Sequence, residues 1–523
     1  MAQAHWCASA EDVWWCAQTG ARSLAGMVKK DASKKGGGSA GAKKGLTEAE
    51  RMEEEMRELR EDGKLAGGHL LPALHWLGMQ IFSSARYKEI FWGFWLLSIL
   101  LRAWTTVLVM PFAGLLATLA SYKRPPRPEG IPLASMGLDV LLGRPIQASK
   151  DVPGLHSNNN VTITSFGDRY ILAYRQSDVH FPSGKTQIVV AHSTDLNSWT
   201  IDWIYSNGCD LRETLLFEMG GTLMLYFFSL KPAHGQFKPL HIFYTTSQDG
   251  SKWEEPKEVC YEGEVPWEIK VYGEGKDAIA YKSSYLGDHY GTKDVLVLFE
   301  QSKDGLKWNP VPPCTAESSV VYRGGISEVS FEFTKSGDLV AIGRNEDGDS
   351  TGFGSQLFYA RKGSLGSWTS LKVSLPWRFD SPRLASTSWG EILLFARYAP
   401  NPYQLAPDWI DFGYQKVINL ALCSLLPKSA AVYRLAPWEE WGESGAGAIQ
   451  LVRCFEGSAG DTGFFSVTHE RGETESNSWV VANYTSTTCQ SHAPWIYGQM
   501  MPSHVYVFRC RAVQAGNGGS GSS

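Results

Sequence analysis

The sequence predicts an all-β chain, a six-bladed β-propeller preceded by a membrane-anchor helix and a disordered N-terminal segment. Three observations carry this reading. First, Ser193-Thr-Asp195-Leu-Asn-Ser-Trp199, Ser247-Gln-Asp249-Gly-Ser-Lys-Trp253 and Ser302-Lys-Asp304-Gly-Leu-Lys-Trp308 repeat one motif, and a degenerate fourth copy ends at Trp368. The four tryptophans lie 54, 55 and 60 residues apart, a period that marks one repeated supersecondary unit. Second, from Pro132 onward short apolar runs alternate with Gly, Asp and Asn turns, as in all-β proteins. Third, a nearly uncharged stretch covers residues 90–120.

Residues 1–67 read as a separate disordered segment. Lys29, Lys30, Lys34, Lys35, Lys43 and Lys44 sit there among Gly, Ser and Ala, which cannot build a core. Thr47-x-x-Glu50 resembles a capping box and opens a charged helix through about Asp62, read as a solvated arm. Residues 68–122 form the anchor region. Ile90 to Leu101 carries no charge, Arg102 interrupts, and Ala103 to Ala120 runs 18 residues without one. Such a run at about 1.5 Å per residue covers about 27 Å, close to a bilayer core. It begins too far from Met1 for an ordinary cleaved signal peptide. Arg102 and Pro111 leave a re-entrant hairpin open, and a buried soluble helix is the remaining alternative. Basic residues flank both ends, so charge does not orient the span. The expected location is a membrane with a single-pass anchor, the propeller being lumenal or extracellular.

A Pro- and charge-rich linker follows over 123–149, then the propeller over 150–512 and a short disordered tail over 513–523. Each unit fits one template: an inner strand, a tight turn such as Gly167-Asp168 or Gly337-Asp338, a second strand such as Tyr170-Ile-Leu-Ala-Tyr174, a third, then the Asp-turn with its Trp. In that turn Gly tolerates positive φ and Asp bonds its own backbone, while Trp buries a large ring. The blades are expected near 157–200, 210–254, 266–309, 325–370, 378–437 and 447–487, with 503–511 completing the ring. The last two lack the motif and are placed by strand pattern alone. Radial repetition leaves only short edges.

Composition narrows function. The net charge of −5 gives no basic field, so no nucleic-acid partner is expected. Twenty tryptophans suit a carbohydrate-facing surface, although turn packing accounts for most. Nine cysteines include no Cys-x-x-Cys pair, so neither zinc nor any other cofactor is expected. Two sequons, Asn160-Val-Thr162 and Asn483-Tyr-Thr485, fall on inner or second strands, where a glycan would fill the channel, and are discounted.

The starts of the inner strands face the channel of a propeller. They read Asn158-Asn159-Asn160, Asp210-Leu-Arg212-Glu213, Trp267-Glu268, Ser327-Glu328, Asp380-Ser-Pro-Arg383 and Asp461-Thr462. The ends of the second strands supply Arg175, Arg344, Arg397 and Tyr398, among others. These recurring charges fit either a salt-bridge network lining the channel or a ligand pocket at its mouth. Arginine clusters suit bidentate recognition of carboxylate or phosphate, and paired carboxylates suit glycosidic cleavage.

The Ser-x-Asp-Gly-x-x-Trp turns resemble the Asp-boxes of BNR repeats in the sialidase superfamily, one residue tighter than the commonest form. Glu328 followed by Gly337-Asp338-Leu-Val-Ala-Ile-Gly-Arg344 is similar to a sialidase stretch, and Gly460-Asp461-Thr-Gly463-Phe464-Phe465-Ser466 resembles a last-blade signature of sialidase-like proteins. The resemblance implies a sialidase-like propeller in which three arginines hold a carboxylate, a glutamate polarises a tyrosine nucleophile, and an aspartate is the acid/base. On that basis Glu328, Asp178 and Asp210 are the catalytic candidates. Arg175, Arg212, Arg344, Arg383, Arg397, Tyr398, Trp267, Glu268 and Asp461 are the substrate-binding candidates. Two departures stand out: Asn158 to Val161 replaces an Arg-Ile-Pro, and Phe464-Phe465 occupies the place of the tyrosine. A phenyl ring has no oxygen with which to attack. Three functions follow: a membrane-anchored sialidase-like hydrolase of acidic glycans, an inactive propeller that binds glycan or protein at the channel mouth, or a five-bladed glycosidase of the arabinanase and levanase kind that needs only two carboxylates.

Overall fold

The computed structural model describes residues 130–141, 146, 154–230, 239–259, 263–287, 295–314, 318–346, 353–399, 423, 426–445, 447–455, 460–471, 477–486 and 494–514. The lysine-rich segment, its capping-box helix and the apolar span at 90–120 lie outside the described residues. Among the described residues no helix is long and apolar enough to cross a membrane.

Six antiparallel sheets form the blades, where the five-bladed reading needed five. Their inner strands are Ser157–Phe166, Asp210–Met219, Glu264–Tyr272, Ile326–Phe333, Arg378–Ser386 and Ser466–His469. The second strands are Arg169–Ser177, Thr222–Leu230, Ile279–Leu286, Leu339–Asn345, Ile392–Ala399 and Ser478–Ser486. Both faces of a second strand pack against neighbouring blades. Leu339–Asn345 and Ile392–Ala399 are accordingly buried at every position, which is why they read as continuous apolar runs rather than alternating ones. The outermost strand of the first sheet, Thr200–Tyr205, is only partly covered.

The repeated turns join third to fourth strands and share one hydrogen-bond pattern. Asp195 Oδ1 accepts from the amides of Asn197 and Ser198 at 2.8 Å, Asp249 Oδ1 from those of Ser251 and Lys252 at 2.8 Å, and Asp304 Oδ1 from those of Leu306 and Lys307 at 2.8 Å. The serine hydroxyl accepts from the left-handed residue that follows, Leu196, Gly250 or Gly305. Each corner then docks on the preceding blade. Tyr226 of the second blade donates its hydroxyl to Gly305 O at 2.6 Å, and Trp308 packs edge-on against the same ring. The 54- to 60-residue period is thus the distance from one blade to the next.

The last two blades differ from the sequence expectation. Ile449–Cys454, read as the start of the sixth unit, is the outer strand of the fifth sheet. The sixth sheet takes its outer strand from Gly137–Leu141, read as linker, which pairs with Ser503–Val513. Just upstream, Ala134 N donates to Leu451 O and Leu451 N to Pro132 O, both at 2.8 Å. One N-terminal ribbon therefore stitches the fifth blade to the sixth and closes the ring.

Candidate functional site at the channel mouth

Inner strands begin, and second strands end, at the same end of the ring. Five inner strands carry a β-bulge there, between Asn159 and Thr162, Arg212 and Leu215, Pro266 and Glu268, Ser327 and Ser330, and Asp380 and Arg383. Bulges re-aim side chains and recur next to active sites. In four of the five the extra residue is left-handed: Asn160 at φ 49°, Glu213 at φ 50°, Glu328 at φ 51° and Ser381 at φ 51°. A non-glycine residue pays about 1–2 kcal/mol for that conformation, and four copies in equivalent places mark a constructed mouth. The pairing register also makes Arg175, Arg344 and Arg397 equivalent, each opposite the residue that precedes the bulge.

The arginines are not equivalent in occupation. Arg175 is fully buried; its guanidinium donates to Asp210 Oδ1 at 2.8 and 3.1 Å, to Asn159, and to the carbonyls of Val179 and Phe181. Arg212 closes this group on Asp210 Oδ2 at 2.7 Å. Arg175 and Asp210 therefore tie the first blade to the second. Arg344 lies 2.8 Å from Glu328 and also bonds Glu346. Asp380 collects Arg378 and Lys428 at 2.8 Å and Arg397 at 3.6 Å. Burial opposes its charge, yet these cations hold its carboxyl well below the ordinary range. Asp461 bonds His180, accepts from Tyr484 Oη at 2.8 Å and from Trp495 Nε1 at 3.0 Å, and lies 3.6 Å from Arg397. Burial pushes the His180 imidazole down against the pull of Asp461, so a neutral ring donates to the aspartate.

Arg383 differs from these. It is 6 % exposed, and its guanidinium lies 4.5 Å over the Trp267 ring and 5.4 Å from that of Phe464. Among the described residues its one hydrogen bond is a 3.4 Å contact to Pro382 O, and no carboxylate lies within ion-pair distance. Glu268, Glu213 and Glu328 nevertheless act on its charge, in that order. An unpaired buried cation is costly, and here the Trp267 and Phe464 rings meet part of that charge.

The two bulge glutamates are set apart from the other carboxylates. Burial, then repulsion from Glu328, pushes Glu213 up to about 7. It keeps a partial opening to the channel and accepts from Asn160 Nδ2 at 3.1 Å, while Asn160 Oδ1 is buried with no partner. Glu328 is also raised, by burial first, but Arg344 and the Ser381 amide at 2.8 Å favour its charged form. One carboxyl is thus lifted toward neutrality, and the other, also raised, is held by a guanidinium.

The structure brings Glu328, Arg344, Arg383, Arg397, Asp461 and Trp267 to this mouth. Asp178 sits on its rim, 3.6 Å from Lys185; burial raises its carboxyl, but hydrogen bonds from Ser183 and Ser177 outweigh this and leave it lowered. Glu268 anchors the next blade through Ser330 Oγ and Phe331 N. Tyr398 is buried in the hydrophobic core of the fourth and fifth blades. Sequence reasoning placed Asn160 and Glu213 at the channel-facing strand starts without giving them a role in the site, and it missed His180, Lys428 and Trp495. Glu213 alone had a usable signal, because it holds the same place in its repeat as Glu328. At the expected tyrosine position Phe464 packs edge-on against Trp267, 5.5 Å between centroids. Tyr484 supplies no substitute: it is fully buried, and burial with Asp461 beside it pushes its hydroxyl well above the ordinary range.

No family model matches the chain, and no curated protein matches it. Among solved structures it is similar to a protein of unknown function from Dyadobacter fermentans, at 14 % identity over 72 % of this chain and 99 % of that one, TM-score 0.48. It is similar to the Trypanosoma rangeli sialidase in complex with the inhibitor DANA, at 10 % identity over 71 % of this chain and 59 % of that one, TM-score 0.44. It is also similar to a Penicillium chrysogenum α-L-arabinanase complexed with arabinobiose, at 13 % identity over 71 % of this chain and 98 % of that one, TM-score 0.43. The six-bladed architecture rests on the six sheets of the chain itself.

Proposed function

We propose that the channel mouth is the active site of a glycoside hydrolase that works with two carboxyl groups, Glu213 and Glu328. The carrying observation is the pair itself: two left-handed bulge glutamates, Glu213 partly exposed and lifted to about 7 by burial and then Glu328, and Glu328 buried, itself raised by burial, and paired with Arg344. Titratable groups whose surroundings differ in this way separate acid from base. Glu213 donates its proton to the glycosidic oxygen as the bond breaks. Glu328, whose charged form Arg344 favours against burial, faces the developing positive charge at the anomeric carbon as nucleophile or as base toward water. A tyrosine is not required, which accommodates Phe464.

Arg383 suits an acidic glycan. Arg344 and Arg397 are committed to carboxylates of the protein, whereas Arg383 offers unused donors beside the Trp267 and Phe464 rings, against which a sugar face can rest. The three-arginine carboxylate clamp of the sialidase reading thus reduces here to one open guanidinium. The second reading, a binder without turnover, keeps Arg383 and dispenses with Glu213.

A panel of aryl glycosides, comprising a sialoside, a glucuronide and an α-L-arabinofuranoside, tests both readings on the full chain. Hydrolysis lost in Glu213→Gln and in Glu328→Gln supports the enzyme. Binding of a carboxylated sugar without hydrolysis, lost in Arg383→Met, supports the binder. Hydrolysis that survives both glutamine variants refutes the proposed chemistry.

A further inference from the structure

The two glycosylation sequons lie where no glycan can be. Asn160 is 2 % exposed, stands on the bulge of the first inner strand, and spends its amide Nδ2 on Glu213. Asn483 is 6 % exposed in Ser478–Ser486, and its Oδ1 accepts the Gly463 amide at 3.1 Å. Thr162 and Thr485, the third residues of the two sequons, are buried or nearly so. A branched glycan on Asn160 Nδ2 would displace its hydrogen bond to Glu213, and one on Asn483 has no room because that side chain is buried. A sequon in a lumenal protein is an acceptor that folding leaves at the surface. Glycan transfer needs an extended, accessible sequon, so in that compartment it acts on the chain before burial protects it.

A second observation points the same way. Cys209, Cys314, Cys423 and Cys510 are free thiols, and Cys510 is buried in the core of the sixth blade. Domains that fold in oxidising compartments tend to pair their cysteines.

We propose that the propeller folds and works in a reducing compartment without sequon glycosylation, on the cytosol-like face of any membrane that residues 90–120 enter. This reverses the lumenal or extracellular placement expected from the anchor. It does not depend on the glycosidase reading, because it concerns only where the two asparagine side chains lie.

The test is translation of the full chain with endoplasmic-reticulum microsomes, followed by endoglycosidase H and protease digestion, alongside peptide mass spectrometry of protein from its own source. The expected results are no endoglycosidase shift, a propeller open to protease from outside the vesicles, and unmodified peptides carrying Asn160 and Asn483. Forced into the lumen by a fused signal peptide, the chain should gain two glycans and, once the vesicles are opened with detergent, be cut faster than the unglycosylated propeller, and Thr162→Ala with Thr485→Val should restore the resistance. A glycan on Asn160 or Asn483 in a protease-resistant propeller overturns the proposal.

Discussion

Asn160 donates its side-chain amide to Glu213 Oε2 at 3.1 Å, and both residues are left-handed bulge residues of neighbouring inner strands. The donor favours the charged carboxylate, against burial and Glu328, which favour the neutral form. Asn160→Ala therefore raises Glu213 further. Hydrogen bonds to charged groups contribute about 1.5–3 kcal/mol, so the shift is at least about one pKa unit. A general acid is lost as pH rises through its pKa. The alkaline limb of the rate profile should accordingly move up by at least about one pH unit in Asn160→Ala. An unmoved limb would show that Glu213 is not the acid.

The same group makes stability depend on pH. Glu213 goes from 4.5 in the unfolded chain to about 7 in the folded one. Its contribution is fully present below about 4.5 and is lost as pH rises to about 7, because the unfolded state releases its proton first. Glu213→Gln keeps the shape of the neutral acid and removes that loss. We expect the variant to be more stable than the parent at pH 8, by up to about 3 kcal/mol, and no more stable at pH 4. Urea unfolding at the two pH values measures both, and equal stability at pH 8 would contradict the raised pKa.

Arg383 and Arg175 should separate ligand recognition from stability. Removing one partner of a buried pair costs about 3–5 kcal/mol, whereas replacing an unpaired buried charge by an apolar side chain is often neutral or stabilising. Arg175→Ala strips Asp210 of its bidentate partner and should destabilise by that amount. Arg383→Met keeps the stacking volume between Trp267 and Phe464 and should change stability by less than about 1 kcal/mol while abolishing binding of a carboxylated sugar. Equal losses of stability in the two variants would mean that Arg383 is structural.

How far the sequence could be read follows from these same residues. The first three blades are legible because each corner uses the same local chemistry, a serine and an aspartate that hold turn amides, and the fourth keeps the closing Trp368 with Lys362 and Ser364 in their places. The fifth and sixth lack that punctuation, so Ile449–Cys454 could not be assigned by pattern. Glu328 and Arg344 stand out through their spacing around a glycine turn. Glu213 sits between Arg212 and Thr214 and looks like an ordinary ion-pair partner. The alignment of strand starts sets it level with Glu328, and the bulge register shows that both are the left-handed extra residue. His180 and Lys428 come from connecting loops with no periodicity, and their partners Asp461 and Asp380 are 281 and 48 residues away.

The corner turns offer an internally controlled test. Gly220 and Gly305 both have positive φ, 61° and 72°. A Cβ on Gly220 meets nothing within 4 Å, but one on Gly305 would stand 2.4 Å from Met224 Sδ and 3.1 Å from Phe217. Gly220→Ala should cost only the conformational strain, about 1 kcal/mol. Gly305→Ala adds overpacking and should cost about 1–3 kcal/mol more. Leu196 shows the converse, since it holds the glycine place at φ 67° yet joins the buried core. Leu196→Gly relieves about 1 kcal/mol of strain but loses about 2–5 kcal/mol of packing, so it should destabilise. A lower melting temperature for Gly220→Ala than for Gly305→Ala would refute this account.

Ring closure rests on a strand with no local announcement. Gly137–Leu141 pairs with Ser503–Val513, and Leu138, 5 % exposed, packs in a core shared with Phe395, Phe465, Trp479 and Phe508. Without it, the third strand of the sixth blade becomes an unpaired edge, a template for pairing with another chain. Leu138→Ala should cost about 2–5 kcal/mol, and the loss should be local before it is global, because each blade holds its own ladder. Amide exchange should therefore quicken first in Ser503–Val513 and in Ile449–Cys454, which the same ribbon covers through Pro132 and Ala134. The second strand of the first blade, Arg169–Ser177, should keep its protection, since it lies between partners on both sides. If exchange quickens uniformly around the ring, the N-terminal ribbon is no clasp, and closure comes from the inner strands alone.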